Sequence, residues 1–291
     1  MKKVVILGCE NSHANTFLKF IRDMDKYKDV EVLGVYSHER EASERLNAEF
    51  GVKIMENYDE YVGQVDGVII TARHGDNHLK YAKPYIRKGV TMFIDKPITI
   101  SEEEAIEFMR LCREQGVAVC GGSCLKYEDV IQKIKHDVVL EVDGKTLGGF
   151  LRAPVSMINS HGGFFFYSQH LAEMVMEPFG NYPKAVQAFV CDNKINVIIE
   201  YESYNVDAMF VESNYVYYAS RQSERGSYGQ TFNVDGNSKC FNAEFDDFYS
   251  LLSKQTQRID YKDFIAPVFV LNAINRSIIS GKKEKVKEYS L

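Results

Sequence analysis

Two short stretches hold the residues best placed to do chemistry. The first is Gly8-Cys9-Glu10-Asn11-Ser12-His13-Ala14, directly after the apolar run Val4–Leu7. Where a strand turns into a helix, unpaired amides at the helix start can hold a pyrophosphate, and glycines let the backbone come close to it. The pattern that does this is G-x-G-x-x-G/A. Here Gly8 is in place, Glu10 takes the middle glycine and His13 the third. A carboxylate facing a pyrophosphate is repulsive, so either Glu10 turns away or the loop binds something else. The second stretch is Phe93-Ile94-Asp95-Lys96-Pro97. A lysine at the carboxyl end of a strand can donate to a substrate hydroxyl, and its pKa shifts readily on burial. Pro97 restricts Lys96 to an extended backbone.

Other residues could join them. Ser37 ends the second apolar run, where an acid commonly accepts from a ribose hydroxyl, and Arg40 follows closely. That pair suits a 2′-phosphate, and equally a plain surface turn before a helix. His74, Asp76 and His78 have a spacing that could bind metal, but no further ligand is evident and no metal is expected. The six cysteines are scattered without a Cys-x-x-Cys pair, the usage of a cytoplasmic protein with reduced thiols.

These residues need elements to position them. Apolar runs at Val4–Leu7, Val30–Tyr36, Val52–Met55, Gly67–Thr71, Thr91–Ile94 and Val117–Cys120 read as six strands. Between them, Ala14–Met24, Glu39–Phe50, Tyr58–Val62, His78–Lys88 and a segment opened by Ser101-Glu102-Glu103-Glu104 have helical character. Apolar strands alternating with helices predict a doubly wound α/β domain on a parallel sheet over residues 1–122. From residue 123 to 291 the pattern changes. A helix near Tyr127–Lys135 precedes strands at Leu147–Met157, Lys184–Val190, Ile195–Glu202, Val206–Glu212 and Tyr215–Ala219, and two helices close the chain, Asn242–Ser253 and Tyr261–Ser280. This predicts an α+β substrate domain on an open, mainly antiparallel sheet.

Composition sets the outer limits. The 291 residues are 45% hydrophobic and 26% charged, ordinary for a globular protein and long enough for two domains. A net charge of −6 argues against a nucleic-acid partner. The first apolar run is too short for a signal peptide, and no stretch approaches the roughly 20 apolar residues of a membrane span. No membrane association is expected.

The first strand ending in glycine, Thr71 to His78 after the fourth strand, Asp95-Lys96-Pro97 and the two-domain plan together resemble one family. It is the glucose–fructose oxidoreductase, inositol dehydrogenase and rhizopine-catabolism (Gfo/Idh/MocA) family, whose lysine motif is Glu-Lys-Pro. The similarity continues through Gly162-Gly163-Phe164-Phe165-Phe166-Tyr167-Ser168-Gln169-His170-Leu171-Ala172-Glu173. Members carry Gly-Gly, then Asp-x-Gly-x-His-x-x-Asp, there. The closing stretch Val268–Ser280 has the family's look as well, so short, degenerate motifs cover essentially the whole chain.

The resemblance implies NAD or NADP as cofactor, and a hydride passed to or from a hydroxyl-bearing carbon of a sugar, a cyclitol or a related small hydroxylated or carbonyl compound. It implies Lys96 and His170 as the catalytic pair, His170 as general base and Lys96 orienting the oxygen. Cofactor contacts are expected from Gly8, Glu10, Asn11, Ser12, His13, Ser37, Arg40, Thr71, His74, His78, Asp95, Lys96 and Pro97. Substrate contacts are expected from His161, Phe166, Tyr167 and Glu173. Two departures matter. Phe166 stands at the family's catalytic aspartate and Ser168 at its glycine, so a pocket lined by Phe164, Phe165, Phe166 and Tyr167 would take a less polar compound. A homo-oligomer, dimer or tetramer, is implied by resemblance through a sheet face that includes Tyr215-Val216-Tyr217-Tyr218. Glu10 and Phe166 also support a second function, a non-catalytic ligand-binding or sensor protein that keeps the fold.

Overall fold

The computed structural model describes residues 1–235 and 239–291. The chain forms two compact units. One holds Met1–Gly122, Phe241–Phe264 and Leu291; the other holds Ser123–Cys240 and Ile265–Ser290.

The first unit opens with β1 (Lys2–Leu7), α1 (Ser12–Asp23), β2 (Val30–Tyr36) and α2 (Arg40–Phe50). It continues with β3 (Gly67–Ile70), α3 (Asp76–Ala82), β4 (Thr91–Asp95), α4 (Glu102–Gln115) and β5 (Ala118–Gly122). The five strands are parallel in the order β2-β1-β3-β4-β5. Val68–Ile70 and Met92–Ile94 are wholly buried, as the strands of a sheet covered on both faces must be. The chain runs from β1 out to β2, then crosses back to β3. The carboxyl ends of β1 and β3 therefore flank a switch point, where such sheets bind ligands.

One face of this sheet is closed by a distant part of the chain. Phe245, Phe248, Leu251 and Leu252, on the helix Lys239–Leu252, join Val4, Ile6, Ile69 and Phe93 of the strands and Phe17 and Leu18 of α1 in one cluster. Phe17 lies 5.0 Å from both Phe93 and Phe245 between ring centres. Gly67 makes room for that helix: a Cβ there would lie 2.6 Å from the Leu252 side chain.

Three sequence expectations change in this unit. Val52–Met55 is not a strand. Only Ile54 bridges Val35, so the segment lies along the outer edge of β2 on two backbone bonds. Tyr58–Val62 forms turns, because its bonds span three residues and the run between Asn57 and Gly63 is too short to nucleate a helix. The helix expected over His78–Lys88 starts at Asp76 and stops at Ala82, passing into a single 3-10 turn, Lys83–Tyr85. Pro84 lacks the amide needed to continue it. The cap at Ser101 is present, its hydroxyl accepting from the Glu104 amide at 3.2 Å.

The second unit contains α5 (Asp129–Val139), β6 (Thr146–Val155), α6 (Phe165–Phe179), β7 (Ala185–Cys191), β8 (Lys194–Glu200) and β9 (Asn205–Glu212). It adds β10 (Tyr217–Ser223), β11 (Ser227–Phe232) and β12 (Glu284–Lys285). Seven strands form a sheet in the order β11-β10-β6-β9-β8-β7-β12. All pairs are antiparallel except β6 with β9. This is the open, mainly antiparallel sheet expected from the sequence. The edge strand β11, SYGQTF, escaped the sequence reading because nearly all of it is solvated. Buried Arg221 ties the turn before β6, donating to the carbonyls of Val142 and Gly144 at 2.7 and 2.8 Å. Among the described residues, no helix is long and apolar enough to cross a membrane.

Candidate functional site

In the first unit the β1–α1 turn needs glycine at its start. Gly8 has φ +76°, and a Cβ on it would lie 2.4 Å from the Ala72 Cα and amide nitrogen. Thr71, wholly buried, holds the same crossing by donating from its hydroxyl to the Gly8 carbonyl at 3.0 Å. Asn11 caps α1, its Oδ1 accepting from the His13 amide at 3.3 Å. Ser12 opens the helix and its hydroxyl points back to Asn11 Oδ1, 3.3 Å away.

Glu10 does turn away. Its carboxylate is buried between the ends of β2 and β3, accepting from the Ser37 hydroxyl at 2.7 Å and the Arg73 amide at 3.1 Å. Arg40, half exposed, pairs with Glu56 at 3.1 Å and with Glu44 at 3.5 Å.

His13, in the third glycine position, joins the turn to the lysine loop. Asp95 Oδ2 lies 2.8 Å from both His13 Nδ1 and Asn11 Nδ2, and Asp95 Oδ1 accepts from the Lys96 amide at 2.7 Å. The His13 ring also packs on Phe17 and Phe241. Burial pulls the His13 imidazole down, but the Asp95 and Glu244 carboxylates outweigh it and hold its pKa above the ordinary value. Burial pushes Asp95 up, yet His13 and Lys96 bring it below the ordinary carboxylate value. Asp95 is thus a hub joining two loops. Lys96 is buried next to it and precedes Pro97 through a cis peptide bond.

This pair predicts a pH window. A raised His13 adds stability that is complete below its unfolded value of about 6.5 and is lost as pH rises through its folded value. A lowered Asp95 adds stability that is present above about 3.9 and is lost as pH falls through its folded value. His13→Gln should therefore cost most between about pH 4 and 6.5, on the order of 3 kcal/mol, and less on either side. Urea unfolding of both proteins across pH measures this; a pH-independent difference would contradict it.

Two further histidines lie just before and within α3. His74 Nδ1 accepts from the Asp76 amide at 3.3 Å. His78 is wholly buried, with Nε2 2.8 Å from the Ala72 carbonyl, and burial lowers its pKa. That contact holds the backbone opposite Gly8.

In the second unit, α6 brings His170, Gln169 and Glu173 together with the segment after β5. His170 Nδ1 is 2.7 Å from Ser123 Oγ, which also accepts from the Leu125 amide at 3.2 Å. The ring meets Tyr167 edge-on at 4.7 Å. Glu173 accepts from the Ser123 amide and Lys126 Nζ, each at 2.9 Å, and from Gln169 at 2.6 Å. Three donors engage its carboxylate, which makes it an anchor for Ser123 more than a free substrate contact. Ser123, Lys126 and Gln169 carry no motif signal in the sequence, because Ser123 and Lys126 are separated by the buried Cys124 and Leu125 and Gln169 lies 43 residues beyond Lys126. The aromatic run divides. Phe164 is buried against Phe210, while Phe166 packs on His161 at 5.0 Å and on Tyr167 at 6.0 Å.

A five-stranded parallel sheet with a glycine turn and a capped helix at its switch point, and an acid–lysine loop after β4 bonded to that turn, defines a dinucleotide-binding Rossmann unit. Residues 2–123 match the model of the Gfo/Idh/MocA group, described as an oxidoreductase family with an NAD-binding Rossmann fold. This match covers the first unit, the part of the chain that carries Asp95-Lys96-Pro97, and it agrees with the resemblance read from that motif.

A curated relative is glucose-6-phosphate 3-dehydrogenase of Bacillus subtilis (strain 168), 26% identical over 142 residues. The match takes in 48% of this chain and 38% of that enzyme. Among solved structures, the chain is similar to scyllo-inositol dehydrogenase from Lactobacillus casei with bound NAD(H) and scyllo-inositol. The TM-score is 0.83 at 15% identity, over 98% of this chain and 99% of that one. It is also similar to the WlbA dehydrogenase of Chromobacterium violaceum in complex with NADH and UDP-GlcNAcA. There the TM-score is 0.78 at 13% identity, over 99% and 97% of the chains. At these identities the likeness establishes the fold of both units.

Proposed function

We propose that this protein is an NAD(P)-dependent dehydrogenase that oxidises or forms a hydroxyl-bearing carbon on a sugar or cyclitol. The observation that carries the proposal is the β1–α1 turn. Gly8 is forced by the Ala72 backbone, Asn11 caps the helix, and both lie in the stretch that matches the NAD-binding model. The residues suit a dinucleotide: the turn has no Cβ at its crossing, and the Glu10 carboxylate leans towards the end of β2.

When bound, a nicotinamide supplies the hydride acceptor or donor. The chain's own residues handle the oxygen and its proton. Lys96, buried beside Asp95, is assigned to orient the reacting oxygen. His170 is assigned to take its proton at Nε2, which requires Nδ1–H to be donated to Ser123 Oγ. Phe166 lies one helical turn before His170, where the family's aspartate would be, so Ser123 takes over as the polar partner of the ring. Substrate contact is assigned to His161, Phe166 and Tyr167.

Titration with NADH and NADPH tests the first step. Saturable binding of at least one is expected, and binding of neither would leave a sensor of some other ligand as the better reading. A homo-oligomer remains a proposal, supported by Phe189 and Ile198, which are both exposed on β7 and β8; sedimentation tests it. Cytoplasmic location and the absence of a nucleic-acid partner are likewise proposals, supported by the scattered cysteines and the net charge of −6.

A further inference from the structure

We infer that Glu10 reads the adenosine ribose and makes the first unit select NAD over NADP. This rests on the dinucleotide reading above and adds to it a specificity that neither the family match nor the fold decides.

In sheets of this kind, an acid at the end of the second strand accepts from the ribose hydroxyls, whereas a nearby arginine accommodates a 2′-phosphate. The end of β2 here carries Ser37, not an acid. The serine spends its one O–H on Glu10 Oε2 at 2.7 Å and accepts from the Glu39 amide at 3.1 Å. Its hydroxyl is therefore committed. The Arg73 amide holds the other carboxylate oxygen, Oε1, at 3.1 Å. Glu10 comes from the β1 turn, yet its carboxylate is delivered to the end of β2, where it is 3% exposed.

Of the pair that suited a 2′-phosphate, Ser37 is committed to Glu10. Arg40 is occupied by Glu44 and Glu56. The buried charge at the end of β2 is the Glu10 carboxylate, and it accepts hydrogen bonds. A ribose diol can donate to it. A 2′-phosphate has no such proton to give and brings like charge against a carboxylate already shielded from water. The middle glycine of the phosphate turn is lost, but the same substitution restores the acid missing from β2.

The test measures binding and needs no substrate. The chain has no tryptophan, so the emission of the reduced nicotinamide itself reports NADH and NADPH binding without overlap from indole. Wild type should bind NADH about 100-fold more tightly than NADPH. Glu10→Gln removes the charge at nearly constant shape, and should narrow the ratio to about threefold or less. Arg40→Ala should leave the wild-type ratio unchanged. Equal binding of the two dinucleotides by wild type, or an unaltered ratio in Glu10→Gln, overturns the inference. So does a loss of NADPH binding in Arg40→Ala. If wild type binds neither but Glu10→Gly binds both, Glu10 is a plug: the inference fails while the dinucleotide fold reading stands. If no variant binds either, the dinucleotide reading fails and the inference with it. Thermal melts confirm that each variant is folded.

Discussion

Gly8→Ala is expected to lose about 3 kcal/mol of stability, and with it most dinucleotide affinity. Two independent costs meet at this residue. Its φ of +76° is strained for any residue with a Cβ, and the Cβ would lie 2.4 Å from the backbone of Ala72. A side chain in the way could rotate aside, but a backbone nitrogen and Cα cannot move without shifting the end of β3. Gly51 serves as the control. It has φ +69° at the end of α2, but open space where its Cβ would be. Gly51→Ala should therefore cost only the left-handed strain, about 1 kcal/mol. Urea unfolding of the two variants measures the difference, and equal losses would mean that the Gly8–Ala72 crossing is not tight. Where the Gly8 variant still folds, NADH affinity should fall at least about tenfold, because the turn that approaches the pyrophosphate has moved.

His170→Ala is expected to lower turnover by about 10²- to 10⁴-fold while NADH affinity stays within about threefold of wild type. The imidazole is buried, held on one nitrogen by Ser123 at 2.7 Å and packed edge-on with Tyr167 at 4.7 Å. A ring fixed this firmly has few orientations, as a general base requires. Lys96→Ala should show the same separation, lost turnover with kept dinucleotide affinity, because its assigned contact is the substrate oxygen. An equal loss of cofactor binding in both variants would mean that these residues hold the dinucleotide and that their assignment to proton transfer is wrong.

The sequence conveys the layout of the first unit better than its details. Val4–Leu7 and Gly67–Ile70 are apolar throughout because both faces are covered, and that is visible in a single run of residues. The weak elements fail for local reasons. Pro84 ends a helix early, and Val52–Met55 has one neighbour along an edge where a strand would need continuous pairing. The return of Phe245 and Phe248 onto Phe17 and Phe93 leaves no local trace, since spacing within a helix does not say which sheet it covers.

In the candidate site, Gly8, Asp95 and Lys96 are legible because motif position alone specifies them. The direction of Glu10 is not. It depends on Ser37 and Arg73, which are 27 and 63 residues away. The pairing of Ser123 with His170 spans 47 residues, so no local pattern points to it. Phe166 is visible as a departure from the family pattern, but the Ser123 hydroxyl beside His170 is visible only in the fold.

The most direct measurement of the proposed dehydrogenase activity follows nicotinamide absorbance during incubation with NAD and a panel of cyclitols and sugars, and in reverse with NADH and the matching ketones. Hydride transfer to or from at least one member is expected, and its near-complete loss in His170→Ala. Tight dinucleotide binding with no transfer in either direction across the panel would contradict a sugar or cyclitol dehydrogenase.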